Sequence, residues 1–129
     1  MGRLKAEMLT RFDDFSDRVL DVVEVLEKQG RPKRVIEQLA GCGTSVGANL
    51  CEADEAMSRP DFAKTLCIVV KELNETRYWL RLIGRRDWIK QTRLLPLQQE
   101  ADELKRICGA IISRTRQNSK RKPLSSPAA

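Results

Sequence analysis

The stretch from Ser58 to Gly84 reads SRPDFAKTLCIVVKELNETRYWLRLIG, and its periodicity decides the fold. Phe62, Leu66, Val69, Leu73, Thr76, Leu80 and Ile83 follow at alternating steps of four and three, which keeps them on one side of an α-helix. Ser58 suits an N-cap, Pro60 and Asp61 suit a first turn, and Gly84 can close the end. The spacing predicts a helix over about 59–84 with an unbroken core seam. A second stripe, Thr65, Ile68, Glu72, Glu75, Trp79 and Leu82, mixes apolar side chains with two carboxylates. A helix with two such faces is expected to pack its own bundle with one and a partner subunit with the other.

Moving towards the N-terminus, a helix is predicted over about 32–55, with Pro32 near its first position. Val35, Leu39, Cys42, Val46 and Asn49 form one stripe; Ile36, Gly43, Gly47, Leu50 and Asp54 form its neighbour. Gly41, Gly43 and Gly47 each cost a helix interior about 1 kcal/mol relative to alanine, so close backbone approach or a bend is expected there. A phosphate-binding loop is the rival reading, but the segment lacks the lysine of a Walker loop and no strand pattern precedes it. Another helix is predicted over about 10–29. Phe12, Phe15, Val19, Val22 and Leu26 draw its stripe, Asp13, Asp14 and Asp17 suit its positive N-terminal end, and Gly30 stops it.

On the C-terminal side, Leu97, Ala101, Leu104, Cys108 and Ile111, widened by Leu94 and Ile107, predict a last helix over about 92–116. Residues 117–129, rich in Ser, Pro and Lys, are expected to form a disordered basic tail. No segment alternates with a period of two, so no sheet is expected. The fold class is all-α: four helices joined by short turns predict an antiparallel up-down-up-down four-helix bundle over residues 1–116.

Composition narrows the chemistry. A 41% hydrophobic and 33% charged chain of 129 residues is expected to be one soluble domain, and with 5% aromatics its core must be aliphatic. The uncharged run Gln38–Cys51 is too short and Gly-rich to cross a bilayer, and no export signal is read at the N-terminus. No membrane association and a cytoplasmic location are expected. Cys42, Cys51, Cys67 and Cys108 form no C-x-x-C pair and read as small buried thiols in a reducing compartment, not zinc ligands. The chain contains no histidine. That removes Ser-His and Cys-His nucleophilic pairs, a histidine general base and the Glu-x-x-His element of di-iron bundles.

Net charge is +6 and unevenly spread. From Leu104 onward the chain carries Lys105, Arg106, Arg114, Arg116, Lys120, Arg121 and Lys122 with no acid. Without those seven, the 24 Lys and Arg fall to 17, one fewer than the 18 Asp and Glu. A second cluster, Arg77, Arg81, Arg85, Arg86, Lys90 and Arg93, is opposed there only by Asp87. Such segments suit phosphate backbones or an acidic protein; as plain solvated faces they would need no partner. No aromatics interleave with them to stack bases.

Three fragments go beyond amphipathic patterning: Ser45-Val-Gly-Ala-Asn-Leu-Cys-Glu-Ala53, Ser58-Arg-Pro-Asp-Phe62 and Lys71 to Leu80. Together and in this order they resemble the bacterial four-helix-bundle family named for reading frames in intervening sequences of large-subunit (23S) ribosomal RNA genes. The resemblance covers the second and third helices in motif and all four in length. It implies an antiparallel bundle that assembles as a homopentamer. A related branch, the accessory proteins of diversity-generating retroelements, forms basic pentameric barrels that bind a reverse transcriptase and nucleic acid. The family itself has no assigned biochemical function, and its pattern does not require the basic region after Leu104.

Asn49, Glu52, Glu72, Glu75 and Trp79 are read as a structural polar network or oligomer interface, with Arg77, Arg81 or Tyr78 as partners, because buried carboxylates need partners. The alternative sets Glu52-x-x-Glu55 and Glu72-x-x-Glu75 around Mg²⁺, as in all-α nucleotide pyrophosphohydrolases; the further Glu-x-x-Asp of those enzymes is absent. The expectation is therefore a non-enzymatic homo-oligomeric scaffold or adaptor with no cofactor and no metal. Its nucleic-acid contacts, or contacts with a nucleic-acid-processing protein, are expected from Arg77, Arg81, Arg85, Arg86, Arg93, Arg114, Arg116, Lys120, Arg121 and Lys122. A purely structural oligomer is the remaining alternative.

Overall fold

Four helices follow one another: α1 (Ala6–Lys28), α2 (Lys33–Asp54), α3 (Arg59–Arg85) and α4 (Gln91–Ser125). The computed structural model describes residues 2–125, with side chains described for residues 2–118. There is no strand among the described residues.

The α3 seam forms as its spacing requires. Phe62, Leu66, Val69, Leu73, Thr76, Leu80 and Ile83 are all buried. Ser58 caps the helix, its side chain accepting the Asp61 N–H at 3.2 Å. From α1, Phe12, Phe15, Val19 and Leu26 meet this seam; α2 adds Leu39, Val46 and Leu50, and α4 adds Leu94, Leu97, Ala101, Leu104 and Cys108. Several expected stripe positions are only half-buried: Val22 in α1, where Val23 is buried instead, Val35 and Asn49 in α2, and Ile111 in α4. The α1 start also moves, four residues ahead of Thr10.

Residue pairs between helices fix the directions. Across α1 and α2, Ser16 donates to the Gly43 carbonyl and accepts from Gly47 N–H. Across α1 and α4, Arg11 bonds Glu100; across α3 and α4, Arg77 pairs with Asp102 and Arg116 reaches Cys67. In each α3–α4 pair the number rises on one helix as it falls on the other, so these neighbours are antiparallel. The connections agree. Gln29, after α1, bonds Trp88, after α3, whereas Arg3 and Leu4 bond Asp54 and Ala56, after α2.

Glycine in α2 has two explanations, not one. A β-carbon on Gly43 would overlap Val19, and one on Gly47 would press on Ser16, so these two positions let α1 and α2 approach closely. Gly41 faces open space, so close packing does not account for it.

The C-terminal reading is corrected. Helix α4 does not stop near Arg116 but continues through Ser125. Residues 117–122 contain no Gly or Pro, Lys, Arg and Gln are good helix formers, and cations at a helix C-terminus are favoured by its dipole. Residues 126–129 of the expected tail lie outside the described residues.

Candidate nucleic-acid interface

Two helix ends build a basic part of the described surface. Helix α1 closes through Gly30, whose φ of +67° is left-handed; Gly30 N–H donates to Glu27 O at 3.0 Å and Arg31 N–H to Leu26 O at 3.1 Å. This six-to-one and five-to-two pairing is a Schellman motif, which satisfies the last carbonyls of the helix. Helix α3 closes in the same way. Asp87 takes the left-handed position at φ +56°, Asp87 N–H donates to Gly84 O at 3.1 Å, and Trp88 N–H to Ile83 O at 3.2 Å. Arg31 and Trp88 therefore occupy equivalent positions after the two helices, and they meet.

The guanidinium carbon of Arg31 lies 4.8 Å from the centre of the Trp88 ring, and that of Arg86 lies 5.8 Å from it. Gln29 ties the arrangement together. Its amide nitrogen donates to the Trp88 carbonyl at 2.8 Å, and its amide oxygen accepts from Arg31 Nε at 2.8 Å. Arg31 is thus held by a hydrogen bond at Nε and by a cation–π contact, which is worth about 0.5–1 kcal/mol at an exposed site.

Charge converges on the same end. Residues 28–34 supply Lys28, Arg31, Lys33 and Arg34 with no acid, and residues 85–91 supply Arg85, Arg86 and Lys90 against Asp87 alone. None of these seven cations forms an ion pair among the described residues. Helix α2 begins here without a side-chain cap and with no acid in its first turn. Lys33 and Arg34 thus stand where the helix dipole disfavours positive charge. At the other end the charges are mixed: the span 52–61 carries Glu52, Asp54, Glu55 and Asp61 against Arg59, while Arg3 and Lys5 lie nearby and α4 brings Arg116 to Cys67 near the start of α3.

The arginines expected to bind nucleic acid do not form one surface. Arg85 and Arg86 belong to the basic end. Arg93 lines a groove between α1 and α4 with Arg18, Asp21, Val22 and Leu97. Arg77 is paired with Asp102 at 2.6 Å, while Arg81 sits 5.7 Å over Tyr78 and lines the α3–α4 groove with Leu95 and Gln98. Arg114 and Arg116 are exposed far along α4; at 1.5 Å per residue, about 38 Å of helix separates Gln91 from Arg116. The side chains of Lys120, Arg121 and Lys122 lie outside the described residues.

Lys28, Arg31, Lys33, Arg34, Gln29 and Trp88 were not among the expected contacts. A signal was present in KQGRPKR at 28–34, a basic run without an acid. Read alone it is a turn; only the fold sets it against residues 85–91.

The polar motif residues resolve into local bonds. Asn49 donates to Ser45 O of its own helix at 2.9 Å, and Glu75 accepts from Trp79 Nε1 at 3.2 Å. Trp79 packs edge-on against Tyr78, with centroids 5.1 Å apart. Glu52 is exposed and Glu72 half-buried. Burial, then the nearby Glu75, pushes the Glu72 carboxyl above the usual carboxylate range. Arg77 does not complete a network with Glu72, because five residues along a helix turn it about 140° away. Nor do Glu52, Glu55, Glu72 and Glu75 converge: no group of three or more Cys, Asp or Glu among the described residues is placed to hold a metal ion. The geometry required by the Mg²⁺ reading is not found among them. No helix among the described residues is long and apolar enough to cross a membrane.

A sequence-family model described as 23S rRNA-intervening sequence protein matches residues 5–110, which span all of α1, α2 and α3 and most of the packed part of α4. The chain belongs to this family. The intervening-sequence fold recurs in a crystal structure from Bacteroides thetaiotaomicron, described as a protein of unknown function from the S23 ribosomal protein family. It is 31% identical to this family member, covers 81% of this chain and 97% of its own, and superposes with a TM-score of 0.78. A comparison with curated proteins finds no match. Both basic loops of this intervening-sequence protein fall inside the matched span.

Proposed function

We propose that the chain is a non-enzymatic, homo-oligomeric scaffold that presents its basic end to RNA or DNA, alone or together with a nucleic-acid-processing protein. The observation that carries this reading is the convergence of seven unpaired cations from residues 28–34 and 85–91 on one end of the bundle. Self-association is supported by the outer side of α3, where Ile68 and Tyr78 are 37% and 45% exposed and Trp79 is half-buried. Such side chains gain most if a second copy covers them.

The test is titration with an RNA hairpin and a DNA duplex at low salt, followed by the mass of the chain in solution. Binding is expected to weaken steeply with salt, with a log–log slope of about −0.9 for each duplex phosphate neutralised. Reversing Lys33 and Arg34 to Glu is expected to remove most of the affinity. No binding to either nucleic acid overturns the interface reading. A species several times the 14.7 kDa chain, five-fold for a pentamer, is the expected assembly, and a strict monomer overturns the scaffold.

A further inference from the structure

We infer that Arg31, oriented by Gln29 and Trp88, is a directional phosphate-binding fork that anchors a phosphodiester backbone without reading its bases. The inference rests on the nucleic-acid reading of the basic end and assigns its central contact. Most cations at this end are exposed side chains with no hydrogen bond among the described residues to orient them. Arg31 is different in three respects that reinforce one another.

First, its backbone is set by the Schellman closure of α1 through Gly30, with Arg31 N–H bonded to Leu26 O. Second, its Nε is already committed to Gln29 Oε1, whose amide nitrogen is in turn committed to the Trp88 carbonyl. Third, its guanidinium carbon lies over the Trp88 ring, 4.8 Å from the centre. These contacts use Nε and leave the two Nη groups without a partner among the described residues. A guanidinium fixed in this way presents a planar pair of donors that matches two phosphate oxygens, with little side-chain freedom left to lose on binding.

The same contacts define what is not read. Arg31 and Arg86 both lie over the Trp88 ring, so the indole is engaged in holding cations and is not free to stack a base. The recognised unit is thus the phosphate, in any sequence context, with Lys33, Arg34, Arg85, Arg86 and Lys90 contributing unspecific charge around it.

Arg31→Lys keeps the charge and removes the fork, so it separates the two roles. In anisotropy titrations of a labelled 20-nucleotide RNA near 0.1 M salt, Arg31→Lys is expected to lower affinity about five-fold or more with little change in salt slope. Lys33→Gln is expected to cost less and to reduce the slope by about one. Gln29→Ala and Trp88→Leu, acting by positioning Arg31, should weaken wild-type binding yet add nothing to Arg31→Lys in the double variants. Poly(A) and poly(U) are expected to bind alike, and inorganic phosphate at millimolar concentration to compete only weakly, because it engages the fork without the surrounding cations. Thermal melts of each variant confirm that the bundle is intact.

If wild type binds RNA and Arg31→Lys binds equally well, the fork is wrong while the basic interface stands. If the Gln29 and Trp88 variants lose affinity additively with Arg31→Lys, the positioning relay is wrong. If wild type binds no RNA, the interface and the fork fall together.

Discussion

Gly43 of α2 lies directly against the side chain of Val19 of α1, in a space that a β-carbon would overlap. Gly41, two residues earlier on the same helix, has nothing within 4 Å of that position. The two glycines therefore answer substitution with opposite signs. Gly43→Ala must push α1 away or force Val19 off its rotamer, and is expected to destabilise by about 1–3 kcal/mol. Gly41→Ala meets no neighbour and removes the backbone freedom of an unneeded helical glycine, for a gain of about 0.5–1 kcal/mol. Urea unfolding followed by circular dichroism checks both; a loss at Gly41 or neutrality at Gly43 contradicts the packing account.

Asp87 holds the left-handed position that closes α3, at φ +56°, where glycine is favoured. Asp87→Gly is expected to raise stability by about 0.5–1 kcal/mol by relieving that conformation. It also removes the one carboxylate of the residue 85–91 segment, so RNA affinity should rise together with the melting temperature. Gly30→Ala places a side chain at φ +67° at the end of α1 and should do the reverse, lowering stability by about 1 kcal/mol.

Arg11 clamps Glu100 with two bonds of 2.8 Å and joins α1 to α4. The hydrogen bonds from Arg11 hold the Glu100 carboxyl below the usual carboxylate range. A carboxylate depressed in the folded state stabilises the fold at neutral pH. That contribution starts to fade as pH falls below the unfolded value of about 4.3 and is gone once pH has passed the folded value. Arg11 is 39% exposed, so screening keeps the pair to about 1 kcal/mol or less. Glu100→Gln is expected to cost that much at pH 7 and nothing at pH 2–3, measured by denaturant midpoints at the two pH values.

The four thiols are expected to react in a fixed order. Burial pushes Cys42 up to about 11 and Cys108 up to about 12, and both side chains are enclosed. Neither should be alkylated in the native protein at pH 8, because the thiolate is the nucleophile. Cys51, expected to be buried, is exposed and should label first, though slowly, since partial burial and then Asp13, Asp54 and Glu52 raise its pKa; the half-buried Cys67 should follow it. Mass spectrometry after timed labelling, with and without urea, reads the order.

The fold was legible because its signals are local. The four–three alternation from Phe62 to Ile83, the Ser58 cap and the stop at Gly30 each act within a few residues, and all survive in the structure. The basic end was half-legible. Arg85 and Arg86 stand out as a pair, but Arg31 gains its meaning from Trp88, 57 positions away, and a one-dimensional reading of KQGRPKR sees only a turn. Pairing was illegible for the same reason. Nothing near Arg77 in sequence announces Asp102, so a neutralised cation looks free in one dimension. The α4 end is not legible from composition: Ser and Pro content points to a tail, but the helix-forming Lys, Arg and Gln between residues 117 and 122 carry the helix onward.

Glu72 carries the sharpest link between that motif and assembly. It is half-buried on α3, beside Glu75, with no cation within salt-bridge distance among the described residues. Desolvation leads in raising its carboxyl, and repulsion from Glu75 adds to it. A group whose folded value lies above the unfolded one holds its proton better in the native state, so stability falls as pH rises from the unfolded value through the folded one. Above both, the ionised carboxylate is a standing cost to the isolated bundle. Glu72→Gln keeps the shape and removes the charge. It is expected to stabilise the single chain at pH 7 by about 0.5 kcal/mol or less, the range of substitutions outside the core, and to have no effect below pH 4. If self-association through the outer side of α3 supplies a cation to Glu72, the sign reverses in the oligomer, where Glu72→Gln weakens the assembly. Melting Glu72→Gln and wild type at concentrations below and above the association midpoint distinguishes the two: a gain at both places Glu72 outside the contact, and a gain that turns into a loss places it inside.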